Sequence, residues 1–232
     1  LGLQPNRALT KSEYVYELLR ERAKRGQLRP QRRLRPADLD AEFRGGLTPA
    51  RDALLRLQAE GYIRSDAGRG YWTKLYRAKE QRDLQTMLLM CVVYCADAAG
   101  RREAAGLQVT LNQYREATAA TLEGASEGLP AARVEAQDLL FRQLGDLSGN
   151  EIFPKLIGNA VDRTYFPRVL DAEDAAAAHR VASHIAAICD ASLMFNREAA
   201  AAAAMLLSKE WSDRLDAIIE RANAVIAREK FP

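Results

Sequence analysis

The sequence predicts a mainly α protein in two parts, a small basic head joined to a C-terminal antiparallel helical bundle. Three observations lead there. Charge is divided unevenly: the first 77 residues hold 17 Lys and Arg against nine Asp and Glu, leaving 17 basic and 22 acidic residues for the remainder. A net charge of +3 therefore conceals a head near +8 and a body near −5. Within the head, short helical stretches broken by glycine end in two strand-like segments. From about Ala78 onward prolines are few, alanines abundant, and helical spacing recurs to the end of the chain. The expected division is 1–77 and 78–232.

In the head, Ser12 to Lys24 carries an apolar stripe of Val15, Leu18 and Leu19 at helical spacing. Thr10 is its expected N-cap, with Glu13 completing a capping box. Gly26 stops this helix, and Pro30 follows. Pro36 opens a second helix over Ala37 to Phe43. Gly45-Gly46 makes a turn, after which Thr48 is expected to cap a third helix from Pro49 to about Glu60. Tyr62–Ser65 and Tyr71–Lys74 are expected strands around a turn at Asp66–Gly70. Helix, helix, glycine turn, helix and strand pair compose a winged helix-turn-helix.

Docking physics assigns roles to that arrangement. A recognition helix enters the major groove by its N-terminus, so Gly46, Leu47, Thr48 and Arg51 face the duplex. The Thr48 hydroxyl suits a phosphate at the helix end, and Arg51 suits a bidentate contact with guanine. Arg69, between Gly68 and Gly70 at the wing tip, is placed for the minor groove. Arg35 and its neighbours Arg29, Arg32 and Arg33 form a basic cluster in which at least one phosphate contact is expected. The bland alternatives are a local ion pair for Arg51, a mere cap for Thr48, and solvated arginines elsewhere.

The run Gly26-Gln27-Leu28-Arg29-Pro30, Leu34-Arg35-Pro36-Ala37, Thr48 to Leu57, Glu60-Gly61-Tyr62-Ile63 and Gly68-Arg69-Gly70 resembles the GntR family of bacterial transcription regulators. The likeness covers nearly all of residues 10–75. It implies a cytoplasmic, nucleoid-associated homodimer on a pseudo-palindromic double-stranded DNA operator. One departure stands out: the family commonly carries Ser-Arg before Thr-Pro, where this chain has Gly46-Leu47. A DNA contact is thereby missing, for which Arg44 is the expected partial substitute.

In the body, helices are expected over Glu80–Ala98, Glu103–Glu123, Ala131–Leu147, Ile152–Phe166, Asp171–Ala191 and Asn196–Lys230, the last interrupted or not. This order resembles the FadR subfamily, notably in Asp138-Leu139-Leu140-Phe141-Arg142 and Leu147-Ser148-Gly149-Asn150. Many members place His four residues after that Asp and complete a metal site with two later histidines. Here Arg142 stands at the first position, and Ser208 near the last. A cation repels a metal, so no metal and no cofactor is expected. A small acidic effector, an organic acid or an acyl-CoA, is expected instead, with Tyr94, Asp138, Arg142, His184 and Ser208 as polar lining. Alternatives are an Asp138–Arg142 ion pair along one helix face and a satisfied core role for His184.

Several classes are disfavoured. The longest apolar run, Met87 to Ala96, falls short of the ~20 residues that cross a bilayer, and the opening residues lack a signal-peptide core. Three cysteines suggest no disulfide framework; Cys91 and Cys95, one turn apart, read as small buried hydrophobes. Two histidines and no phosphate-binding glycine loop leave little for catalysis. Rival readings are a constitutive dimeric DNA-binding protein without effector, and a helical enzyme carrying a DNA-binding appendage.

Overall fold

The computed structural model describes residues 9–66, 69–122 and 129–228. Gly68 of the wing turn, Glu123 and Lys230, all named as element ends or contacts above, lie outside them. The chain falls into two compact units, Leu1–Leu75 with Asn223–Pro232, and Tyr76–Ala222.

The first unit is built around α1 (Lys11–Lys24), β1 (Arg33–Leu34), α2 (Pro36–Phe43), α3 (Leu47–Ala59), β2 (Ile63–Asp66) and β3 (Gly70–Thr73). Thr10 caps α1 as expected: its hydroxyl accepts from the Glu13 amide at 3.2 Å, and the Glu13 carboxylate accepts from the Thr10 amide at 2.7 Å. The helix ends in a Schellman turn, with Gly26 at φ +68° and the Gln27 amide donating to the Arg22 carbonyl at 2.8 Å. Val15, Leu19, Leu39, Ala53, Leu54 and Leu57 interlock as its core.

Two details differ from the sequence expectation. Thr48 does not cap α3. The helix begins two residues earlier than expected, at Leu47 and not Pro49, and Gly46 is its N-cap without a side-chain bond. Gly46 adopts φ +98°, a conformation open to glycine, and its amide donates to Asp40 Oδ1 of α2 at 2.7 Å. Pro49 then falls at the third helical position, where an N–H has no intrahelical acceptor and its loss is harmless. Second, Arg33–Leu34 forms a strand within the stretch read as a basic loop. It pairs antiparallel with β3, giving the order β1-β3-β2 with Leu34 opposite Tyr71 and Ile63 opposite Thr73.

The second unit contains α4 (Ala78–Arg102), α5 (Ala104–Leu122), α6 (Leu129–Leu147), α7 (Phe153–Asp171) and α8 (Ala175–Leu193), with most of α9 (Arg197–Arg228). The core gathers Leu88 and Val92 of α4, Phe141 of α6, Ile157 of α7, Ile185 of α8 and Trp211 of α9. The helix α4 runs past Ala98 and through Gly100, which packs against α8: a Cβ there would lie 2.7 Å from the Ser192 carbonyl oxygen. Likewise α7 continues through Pro167 to Asp171, so Asp171 ends α7 and does not begin α8. Asp174 is the N-cap of α8, accepting from the Ala177 amide at 3.1 Å. The last helix, α9, is unbroken over its described length. Cys91, Cys95 and Cys189 are buried free thiols; burial pushes Cys95 up to about 11 and Cys189 up to about 12, so neither is a nucleophile at neutral pH.

Candidate functional site

The N-terminal turns of α3 stand in solvent. Leu47 is 47% exposed, and Thr48 and Arg51 are exposed beside it. Arg44, at the C-cap of α2, is exposed in the left-handed conformation at φ +51°. Arg44, Gly46, Leu47 and Thr48 therefore occupy the α2–α3 turn and the start of α3.

Arg35, Arg51 and Gly70 meet elsewhere, in a groove of about 320 Å³ that also touches Arg33, Leu55 and Tyr71. Three guanidinium groups line it and no carboxylate does. Gly70 lies beside Arg33 at φ +91°, a backbone conformation that favours glycine. Arg69 is exposed in the turn before Gly70, its amide donating to the Asp66 carbonyl at 2.9 Å. Beneath the wing, Arg64 binds Asp66 at 2.8 Å and lies over Trp72. Arg33 was legible only as one of a basic cluster; β1, which seats it between the wing and α2, is too short to display alternation.

In the body, the five effector candidates do not converge. Tyr94 and Ser208 line one open groove of about 810 Å³ between α4, α8 and α9, otherwise dominated by apolar residues such as Met90, Val93, Ala204 and Met205. Asp138 and Arg142 are elsewhere and, contrary to one sequence expectation, do not pair with each other. The carboxylate of Asp138 accepts from Arg168 of α7 at 2.5 Å, both side chains buried. Arg142 donates to Asp162, also of α7, at 2.7 Å. Two cross-helix pairs replace one local pair because α7 presents Asp162 and Arg168 to α6. His184 is half-buried on α8, near enough to Glu210 of α9 to help hold that carboxyl down, the Arg180 hydrogen bond being the larger cause.

The metal implied by the FadR likeness does not fit. Arg168 holds the Asp138 carboxylate and Arg142 stands one turn on, so a cation would meet guanidinium groups. Among the described residues no three His, Cys, Asp or Glu side chains cluster.

A glycine-turned helix pair with a basic β-wing is the architecture of DNA-binding regulators. Residues 11–72 match the model of "Bacterial regulatory proteins, gntR family", and this segment is a GntR-family helix-turn-helix domain. The match covers the head and none of the helical bundle. No curated protein matches the sequence. Among solved structures, the fold is similar to Escherichia coli McbR/YncC, with TM-score 0.60, 15% identity and coverage of 94% of this chain and 98% of that one. It is also similar to a GntR transcriptional regulator of Rhodococcus sp. RHA1, with TM-score 0.56, 19% identity and coverage of 94% and 98%. A third likeness is to Lar, described as controlling the Listeria monocytogenes agr system, with TM-score 0.55, 17% identity and coverage of 90% and 100%. At such identities the likeness carries the fold. Among the described residues no helix is long and apolar enough to cross a membrane.

Proposed function

We propose that the chain is a homodimeric, cytoplasmic transcription regulator of FadR type. Its residues 1–77 read a pseudo-palindromic operator, and its residues 78–232 dimerise and sense a small acidic metabolite. One observation carries the DNA reading: Arg35, Arg51 and Gly70 converge with Arg33 in a carboxylate-free groove between the recognition helix and the wing. Arg51 is the base-reading side chain, Arg69 the minor-groove contact, and Arg35, Arg44 and Thr48 hold phosphates. Leu47, apolar and exposed, leaves one family contact unmade and fits a thymine methyl instead. Exposed Met90, Met194, Met205 and Leu206 provide apolar surface for self-association.

Selection from a pool of randomised duplexes tests this directly. Enrichment of two inverted half-sites is expected; no enrichment over a mixed-sequence duplex would remove the operator reading.

The sensing role has a rival with its own support. The pairs Asp138–Arg168 and Arg142–Asp162 occupy the charged groups that an acidic effector would use, which favours a constitutive dimer without effector. A thermal-shift screen of the full chain against organic acids and acyl-CoAs separates the two, because a ligand that prefers the folded state raises Tm. A hit lost on Tyr94→Phe or Ser208→Ala places the effector in the α4–α9 groove; no hit at all supports the constitutive reading.

A further inference from the structure

We propose that the duplex-contacting surface does not end at the recognition helix and wing, but continues across β1 into a second groove where Arg29 and Arg32 take backbone phosphates of the same DNA. The proposal rests on the DNA-binding reading above and adds a phosphate-holding surface to it.

The strand β1 acts as a divider. On one side lies the groove of Arg35 and Arg51. On the other is a groove of about 280 Å³ floored by leucines, with Arg29 and Arg32 among its lining. Arg33, Leu34 and Arg35 belong to both, so the two are continuous. Charge in the second groove is strongly positive. Arg22, Arg29, Arg32, Arg33 and Arg35 line it against two carboxylates, Asp38 and Glu42, and Glu42 is bound by Arg22 at 2.7 Å.

The loop that carries Arg29 and Arg32 is fixed to the wing. Buried Thr73 of β3 accepts from the Arg32 amide at 2.9 Å and donates to the Arg29 carbonyl at 2.5 Å. These arginines are thereby held in register with the β-wing, and less ordering entropy is lost when they engage a ligand. Guanidinium forks match phosphate oxygens bidentately. A duplex carries one charge per about 1.7 Å of axis, so a basic surface continuous with the recognition groove meets further phosphates of the same duplex.

Phosphate contacts appear in the salt dependence of binding, whereas base contacts appear in specificity. The experiment is fluorescence anisotropy of the full chain on a mixed-sequence duplex between about 50 and 200 mM salt. Replacing both residues, Arg29→Gln with Arg32→Gln, should lower the slope of log K against log salt by about 1.8, so the wild-type advantage shrinks roughly twelvefold across that range. Arg29→Lys with Arg32→Lys should keep the slope, and Arg115→Ala, which breaks a surface pair with Asp190 in the bundle, should leave it unchanged. A Gln pair with the wild-type slope overturns the extended surface while leaving the recognition helix in place. Failure of the wild type to bind any duplex overturns the DNA-binding reading itself. Stabilisation by pyrophosphate that the Gln pair abolishes, with the slope intact, would assign the groove to a free anion and equally overturn the proposal.

Discussion

Gln81 donates from its side-chain amide to the carbonyl oxygen of Arg163 at 3.1 Å, a bond between α4 and α7. Pro167 is the reason that oxygen needs a donor. Four residues downstream, where a helical N–H would reach back to Arg163, proline has none. Gln81 is buried and supplies the missing proton donor. Gln81→Leu should therefore cost about 1–3 kcal/mol, the usual penalty for a stranded buried polar group. In a Pro167→Ala background the helix donor returns, and the same substitution should cost markedly less. Urea unfolding of the four proteins of this cycle checks the coupling; equal losses in both backgrounds would contradict it.

Asp138 and Arg168 are the second cross-helix tie, both side chains buried. Removing one partner leaves a buried charge, so Arg168→Ala should destabilise by about 3–5 kcal/mol. The joint change Asp138→Leu with Arg168→Met should recover most of that loss, because an apolar pair needs no compensation. Denaturant melts monitored by circular dichroism would show it, and a double variant as unstable as the single would refute it.

Asp97 predicts an acid-sensitive step. Hydrogen bonds from Arg197, then Arg101, hold its carboxyl down to about 2 from an ordinary 3.8. A carboxylate depressed in the folded state stabilises above its unfolded pKa, and that contribution is lost as pH falls from about 4 through about 2. Asp97→Asn should flatten the decline of stability over that window and leave it unchanged in shape near neutrality. Thermal melts across the acid range decide; parallel curves for the two proteins would rule Asp97 out.

Gly100 fixes the approach of α4 to α8. Gly100→Ala places a methyl group 2.7 Å from the Ser192 carbonyl oxygen, against backbone that has no rotamer to yield. A loss of about 1–3 kcal/mol is expected from overpacking, read as a lowered Tm. The higher helix propensity of alanine works in the opposite direction by about 1 kcal/mol, so a raised Tm would mean the helices part freely.

Much of the head was legible because its signals are local. Thr10 with Glu13, Gly26 and Pro36 mark helix ends by their own chemistry, and the structure keeps each. Thr48 misled because a threonine before proline looks like a cap, whereas the preceding glycine with positive φ and its Asp40 partner determine the start. In the body, helices were visible by spacing, but breaks were misjudged at Gly100 and Pro167. Both residues are tolerated there for tertiary reasons, a close approach to Ser192 and a borrowed donor from Gln81. The partners of Asp138 and Arg142 were not legible at all. Spacing shows who shares a helix face, and only the packing of α7 on α6 brings Arg168 and Asp162 to them.

Arg51 carries the heaviest burden in the DNA-binding reading, since it is assigned the bidentate hydrogen-bonded base contact. Duplex selection repeated with Arg51→Ala is the most direct measurement. The wild type should yield inverted half-sites, and the variant should lose preference at one position in each half-site with a penalty of about 1–3 kcal/mol on the wild-type consensus. An unchanged consensus bound with unchanged affinity would contradict the role of α3 as the reading element.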